Sequence, residues 1–358
     1  MKHYTYGGST AARTLNCPAW VSEAAKAPKL ERTSGAAERG TRMHAVLEAA
    51  MLDEKPPADV LPPGHGFDER DLEHMQAAYD MVEEVFTRYN VTDFAIEPTM
   101  EMTPEIGGST DVIGAGPEHC LVIDYKFGAR AVDVTNNAQL AFYHMMAFHS
   151  DKTVDLVTGR KFVGVIIQPA VSFKPLVYEY SVEEVNNFRR AMGTAIEQSK
   201  ILGMEPNAGK HCDYCPAIPY CPAQRGKVSA ALRMSPKQAK DLSEAMGMIA
   251  QLKTFIDSVE AETLLALQTG IAVPGYKLVP KRLIRKWADS ISVVEFLQQA
   301  GLTDKDYLKS AELKTPAQLD KVLKTLKLEL DVDSLLDTSE PGLTVAPDND
   351  SRAKKTVN

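Results

Sequence analysis

The stretch GGSTDVIGAGPEHCLVIDYKFG, Gly107–Gly128, decides the fold. Two short runs suited to strands, GGSTDVIGA and HCLVIDYKFG, flank the turn residues Gly116, Pro117 and Glu118. Alternate residues of a strand face one side, so Asp124 and Lys126 project together. A neighbouring strand would bring Asp111 beside them. Two carboxylates and a lysine suit a hard divalent cation such as Mg²⁺ or Mn²⁺. Such an ion lowers the pKa of bound water and neutralises charge on a phosphodiester under attack. The lysine would orient the water or stabilise developing negative charge. An Asp-x-Lys triplet is by itself common on solvated strand faces. The apolar run LVI before Asp124 argues for a buried strand end, where a charge needs a partner.

Working outward, DFAIEPTMEM (93–102) reads as the first strand of a β-meander. Glu97, Thr99 and Glu101 fall on one side, and Ile96, Met100 and Met102 on the other. Glu97 or Glu101 could supply a further oxygen to a metal or be an exposed strand carboxylate. Before the meander, SGAAERGTRMHAVLEAAMLD (34–53) and DERDLEHMQAAYDMVEEVFTRY (68–89) have helical spacing, separated by a proline-rich loop. The second helix carries Leu72, Met75, Tyr79, Val82 and Phe86 along one face. The segment before Arg32 reads as a helical turn and loop containing Cys17. After the meander come a helix (135–150), a buried strand (161–170), a second strand (176–181) and a long helix capped by Ser181. A long amphipathic helix occupies 235–270, and two shorter ones lie near 293–300 and 316–326. The final residues, from about 341, are polar and read as a flexible tail.

The 358 residues carry a net charge of −8, which does not favour a generic coat for nucleic acid. An acidic body with a local basic groove remains open. GYKLVPKRLIRKW supplies Lys277, Lys281, Arg282, Arg285 and Lys286, either as phosphate contacts or as a solvated face. There is no apolar run of membrane-spanning length, no signal-peptide pattern at the N-terminus and no GxxxxGK[ST] loop. A cytoplasmic protein with reduced thiols and no ATP-driven motor is expected.

Three further features converge. His44 lies on the first long helix, and Gln139 and Tyr143 are four apart on the helix after the meander, sharing one face. Three of the five cysteines, Cys212, Cys215 and Cys221, fall within HCDYCPAIPYC. Cys120 stands apart on an apolar strand and reads as a core thiol. His211 reads as a surface residue or a further ligand.

The ordered set His44, GSTD ending at Asp111, Asp124-x-Lys126 and Gln139-x-x-x-Tyr143 resembles the RecB-type branch of the PD-(D/E)XK nucleases. The resemblance implies an α/β restriction-endonuclease-like αβββαβ core with a mixed central sheet. It implies metal held by His44, Asp111, Asp124 and the Tyr125 carbonyl, with Lys126 serving the attacking water. Gln139 and Tyr143 would position the site or touch DNA. The cysteines resemble those of CRISPR-associated RecB-like exonucleases and AddB-type nuclease domains, in which one cysteine before the motifs and three after hold a 4Fe–4S cluster. This likeness covers roughly residues 10 to 225. Cys17, Cys212, Cys215 and Cys221 would then clasp the two ends of a core spanning 1–228, with a mainly helical domain at 229–340 and the tail at 341–358. Zinc on the same four thiolates is the alternative cofactor. The whole chain is also similar to a group of phage and prophage proteins without assigned function. That likeness implies a bacterial host, a replication or recombination setting, and a single-strand-binding protein or polymerase as partner. No sequence-reading module is evident, which favours an exonuclease over a sequence-specific endonuclease. A non-catalytic DNA-binding or scaffolding module with the same fold is the alternative.

Overall fold

The computed structural model describes residues 4–28, 35–234, 239–280, 287, 290–309, 312–314, 316–326, 328, 330, 332–336 and 343–347. It divides into two compact units, Met1–Val259 and Glu260–Asn358.

The first unit opens with helices α1 (Gly8–Asn16) and α2 (Trp20–Lys26), where the sequence suggested a turn and loop. Helices α3 (Gly35–Asp53) and α4 (Glu69–Arg88) follow. Asp68 caps α4 by accepting from the Asp71 N–H. The buried face of α4 runs through Met75, Ala78, Val82 and Val85, so Leu72, Tyr79 and Phe86 of the expected stripe sit at its margin.

Strands β1 (Asp93–Ile96), β2 (Thr99–Thr103), β3 (Ile106–Ser109), β4 (Val112–Ala115) and β5 (His119–Tyr125) come next. The meander is thus more broken than its pattern implied. DFAIEPTMEM divides at Glu97–Pro98, where Glu97 takes a left-handed φ of 45°. The proline there lacks an N–H for a ladder. A bulge between Glu101 and Thr103 then turns Met102 outward, leaving it exposed, against the expectation that it shares a face with Met100. GGSTDVIGA likewise splits, so β3 pairs with β2 in a separate hairpin while β4 joins the main sheet.

Helices α5 (Ala138–Met146) and α6 (Val154–Val157), strands β6 (Lys161–Ile167) and β7 (Leu176–Glu179) and helix α7 (Val182–Ser199) complete the core. Ser181 caps α7, accepting from the Glu184 N–H. The main sheet has the order β1-β4-β5-β6-β7, with β5 and β6 parallel and the other pairs antiparallel. One α4, the strands β1, β4 and β5, then α5 and β6 give the αβββαβ order. Cores lie on both faces. Cys120, Val122, Phe162 and Ile166 pack with α5 on one side, and Leu121, Ile123, Val163 and Val165 pack with α3 and α4 on the other. Each such fully buried aliphatic side chain contributes about 1.5–3 kcal/mol. Helix α8 (Pro222–Arg233) follows the cysteine segment, and α9 (Ala239–Gln268) follows α8.

The second unit contains β8 (Tyr276–Pro280), α10 (Ser290–Gln299), α11 (Asp304–Tyr307), β9 (Leu308–Lys309), β10 (Glu312–Leu313), α12 (Pro316–Leu326) and β11 (Leu343–Pro347). Val293, Leu297, Tyr307, Leu319 and Leu323 form its core. Strand β11 pairs antiparallel with β8, so Leu343–Pro347 is ordered by a ladder where a flexible tail was expected. Among the described residues no helix is long and apolar enough to cross a membrane.

Candidate functional site

The sequence suggested a cluster at the end of the LVIDYK strand, and β5 delivers it. Val112 pairs with Ile123 across β4 and β5, which sets Asp111 opposite Asp124. Both carboxylates are buried. Asp111 is fixed at the break between the two sheets. Its Oδ2 accepts from the Tyr125 N–H at 2.5 Å, and the neighbouring Thr110 hydroxyl donates to the Ile123 carbonyl at 3.1 Å. His44, reaching in from α3, donates through Nδ1 to Asp111 Oδ1 at 2.6 Å. Burial opposes the His44 charge, yet the Asp111 hydrogen bond and field raise its pKa on balance.

Asp124 faces the α5 side of the sheet with Cys120 and Val122. Its Oδ2 pairs with the Lys126 ammonium. Gln139 bridges the pair, donating from Nε2 to Asp124 Oδ1 at 2.9 Å and accepting from Lys126 Nζ at 3.1 Å. The same Nε2 lies 3.2 Å from the Tyr143 hydroxyl, one turn further along α5. Asn137 caps α5 by accepting from the N–H groups of Gln139 and Leu140, which aims Gln139 at the strand end. Burial raises the Asp124 pKa, Lys126 lowers it and Asp111 raises it again, with a net rise. Burial works against the Lys126 charge, and Asp124 outweighs it, so Lys126 stays protonated.

Glu97 is the carboxylate that the left-handed turn after β1 brings in. Ligand atoms of His44, Glu97 and Asp111 lie mutually within 4.8 Å. Burial first, and then the Asp111 charge, push the Glu97 pKa up to about 7. Two carboxylates crowded in this way favour a cation between them, so the donor set fits Mg²⁺ or Mn²⁺. Glu101 instead lies exposed on β2 and accepts from the Tyr4 hydroxyl at 2.8 Å. Of the two glutamates weighed from sequence, the structure brings Glu97 to the site.

Two glycines make room for Tyr143. A Cβ on Gly8 would come 2.3 Å from the Tyr143 ring, and one on Gly108 would come 3.1 Å from it. Gly108 is the first residue of GSTD. Gly8 was not singled out from sequence, although the Gly-Gly pair at the start of α1 was its signal.

The four cysteines Cys17, Cys212, Cys215 and Cys221 are buried, free of disulfides, and line one cavity with Arg13, His211 and Gln224 among other residues. Backbone N–H groups point at two sulfurs, from Asn207 to Cys17 Sγ at 3.4 Å and from Gly209 to Cys212 Sγ at 3.3 Å. Burial raises the Cys212 thiol, but His211 and the Gly209 N–H outweigh it and lower its pKa. His211 therefore faces the thiols from a half-buried position and is no ordinary surface histidine. Despite burial, hydrogen bonding to Cys17 and Cys212 pushes its pKa to about 10. Among the described residues, no three of these thiols lie mutually within 4.8 Å. Cys120 is a fully buried core thiol, held up at about 12 by burial.

Lys277 is half-buried on β8, and Lys281, Arg282, Arg285 and Lys286 lie outside the described residues.

The fold and site thus define a mixed α/β protein with a carboxylate–lysine cluster at the end of its central strand and a separate four-thiol cavity. The model of the family described as "Protein of unknown function (DUF2800)" matches residues 3–353, and the chain belongs to that family. Among solved structures, the chain is similar to a "putative exonuclease" from Eubacterium rectale, at 11% identity and a TM-score of 0.30, over 52% of this chain and 74% of that one. It is also similar to SSO0001, at 16% identity and a TM-score of 0.24, over 60% of this chain and 85% of that one. Both likenesses are distant.

Proposed function

We propose that this protein is a divalent-metal-dependent DNA nuclease, an exodeoxyribonuclease that hydrolyses phosphodiesters at the end of β5. The observation that carries the reading is the convergence of His44 from α3, Asp111 from the β3–β4 break, Asp124 and Lys126 from the end of β5 and Gln139 from α5 into two adjoining hydrogen-bonded groups, His44–Asp111 and Asp124–Lys126–Gln139, which meet at the Tyr125 N–H. His44, Asp111 and Asp124 would hold Mg²⁺ or Mn²⁺, with Glu97 as a further oxygen and the Tyr125 carbonyl as the backbone ligand. A bound divalent ion supplies Lewis acidity at the phosphodiester and neutralises charge there. Lys126, kept cationic by Asp124, orients the attacking water and stabilises negative charge on the phosphate. Gln139 fixes the direction of the Lys126 ammonium, and Tyr143 fixes Gln139. The Tyr125 N–H holds one oxygen of Asp111, and His44 donates to the other until a cation takes the place of that proton, so the carboxylate is set before substrate arrives.

The thiol cavity would hold a 4Fe–4S cluster through Cys17, Cys212, Cys215 and Cys221. Four buried thiols around one cavity suit a cofactor. Tetrahedral zinc on the same four thiolates is the alternative cofactor. N–H groups at the sulfurs and the buried Arg13 suit an anionic cluster. A phage or prophage setting, with a single-strand-binding protein or polymerase as partner, completes the reading on the sequence resemblance. So does a division of labour in which residues 229–340 contact DNA or a partner.

The test is cleavage of labelled single- and double-stranded DNA by anaerobically purified protein in Mg²⁺, in Mn²⁺ and in EDTA, with fluorescence anisotropy alongside. Metal-dependent cleavage is expected. Binding without cleavage in either metal would replace the reading with the scaffolding alternative.

A further inference from the structure

We infer that Tyr214 and Arg130 form a strand-contacting lip at the active site, where Tyr214 stacks on an unpaired base and Arg130 meets the adjoining phosphate. The inference rests on the nuclease reading above and adds a substrate class to it, single-stranded nucleic acid or a frayed end.

The Cys212–Cys215 segment is a β-turn closed by the Cys215 N–H donating to the Cys212 carbonyl at 2.8 Å. Asp213 has φ −50° and ψ 132°, and Tyr214 has φ 60°. These angles describe a type II turn, whose third position is ordinarily glycine because φ is positive there. A tyrosine held in that conformation is strained, and such strain persists at sites where a side chain is needed. Tyr214 is 86% exposed, more than any other described aromatic residue.

The turn is tied to the strand end by more than proximity. Asp213 pairs with Arg130 at 2.6 Å, and Arg130 follows Lys126 by four residues with its side chain 67% exposed. Arg13 donates to the Asp213 carbonyl at 3.0 Å from inside the thiol cavity. Gln168 donates to the carbonyls of Gly128 and Arg130 at 2.6 and 2.8 Å, which fixes the loop carrying Arg130. The two cysteines beside Tyr214 therefore set its position as they hold their own cofactor.

An uncovered aromatic beside a cation at a phosphodiester site matches the way single strands are bound, by base stacking and phosphate contact. Paired bases within a duplex keep their faces stacked on each other and do not offer them to Tyr214.

The experiment uses the whole, cluster-loaded protein and a single-stranded oligonucleotide with a terminal 2-aminopurine. Steady-state cleavage is read with metal, and fluorescence quenching is read in EDTA. Tyr214→Gly and Tyr214→Ala are expected to raise KM by roughly 5- to 100-fold, with kcat within about threefold, and to abolish quenching. Iron content stays at the wild-type level, and Tyr214→Gly unfolds no earlier than wild type because glycine relieves the turn. Tyr214→Phe and Tyr214→Trp are expected to keep KM and quenching. Unchanged KM and quenching in Tyr214→Gly would overturn the inference. Quenching lost in Tyr214→Gly, with no cleavage by any form, would keep the stacking role and remove the nuclease reading. A wild type that neither binds nor cleaves would remove both.

Discussion

Two buried polar clusters lie in the first unit, and they are held in opposite ways. The carboxylate–lysine cluster partners itself. Asp111 has His44 and the Tyr125 N–H, and Asp124 has Lys126 and Gln139. Strand pairing and the Asn137 cap position these residues before any ligand arrives. The four thiols have backbone N–H groups, His211 and the Gln224 side chain for partners, and they join segments nearly two hundred residues apart. The first cluster is preorganised by the fold. On the proposed reading, a cofactor would add to the second a tie between the segments that it joins. Metal at the first site should therefore govern rate, and a cofactor at the second should govern stability.

The largest expected effect tests the second half of that contrast. Cys17→Ser should lose the cofactor and lower unfolding stability by about 3–5 kcal/mol, by analogy with other cross-links over long loops. Anaerobic denaturation with iron analysis reads this out. EDTA treatment, by comparison, should abolish cleavage while moving the unfolding midpoint little. Next, Lys126→Ala should cut kcat by roughly 10²–10³-fold with iron content unchanged.

Gly8→Ala sharpens the contrast, because α1 carries the chain both to Tyr143 and to Cys17. The added Cβ cannot fit beside the Tyr143 ring. A cost of about 1–3 kcal/mol in stability and a fall in kcat/KM are expected, with the cofactor retained.

The effect that is smallest at neutral pH, and that grows only in acid, lies away from both clusters. His144 is stacked on Phe162, and burial first and then Arg189 push its pKa down to about 3. The folded state keeps His144 neutral while the unfolded chain protonates near pH 6.5. Its contribution is full above that pH and is lost as pH falls toward 3, at about 1.4 kcal/mol per pH unit. His144→Phe should flatten this part of the stability–pH curve, measured by urea unfolding at several pH values.

Much of the first cluster was legible in the sequence, because its spacing is local. Asp124 and Lys126 share a strand face, Gln139 and Tyr143 share a helix face, and one turn separates Asp111 from them. The α/β class and the mixed sheet were implied by the resemblance to the RecB-type nucleases. Glu97 was ambiguous because its position depends on a left-handed turn at Glu97–Pro98, and alternation assumes an unbroken strand. Met102 was misassigned for a related reason, a bulge that shifts the register by one residue. The contacts of Arg13 and Arg130 with Asp213 join distant segments and leave no trace in local spacing. Helices α1 and α2 were short enough for their glycine and proline to suggest loops.

The central claim is that the β5 end hydrolyses DNA. The most direct measurement compares wild type with Asp124→Asn on end-labelled DNA in Mn²⁺, at matched iron content and matched unfolding midpoint. The account predicts shortening of the DNA by wild type and none by Asp124→Asn. Equal cleavage by both proteins would contradict it.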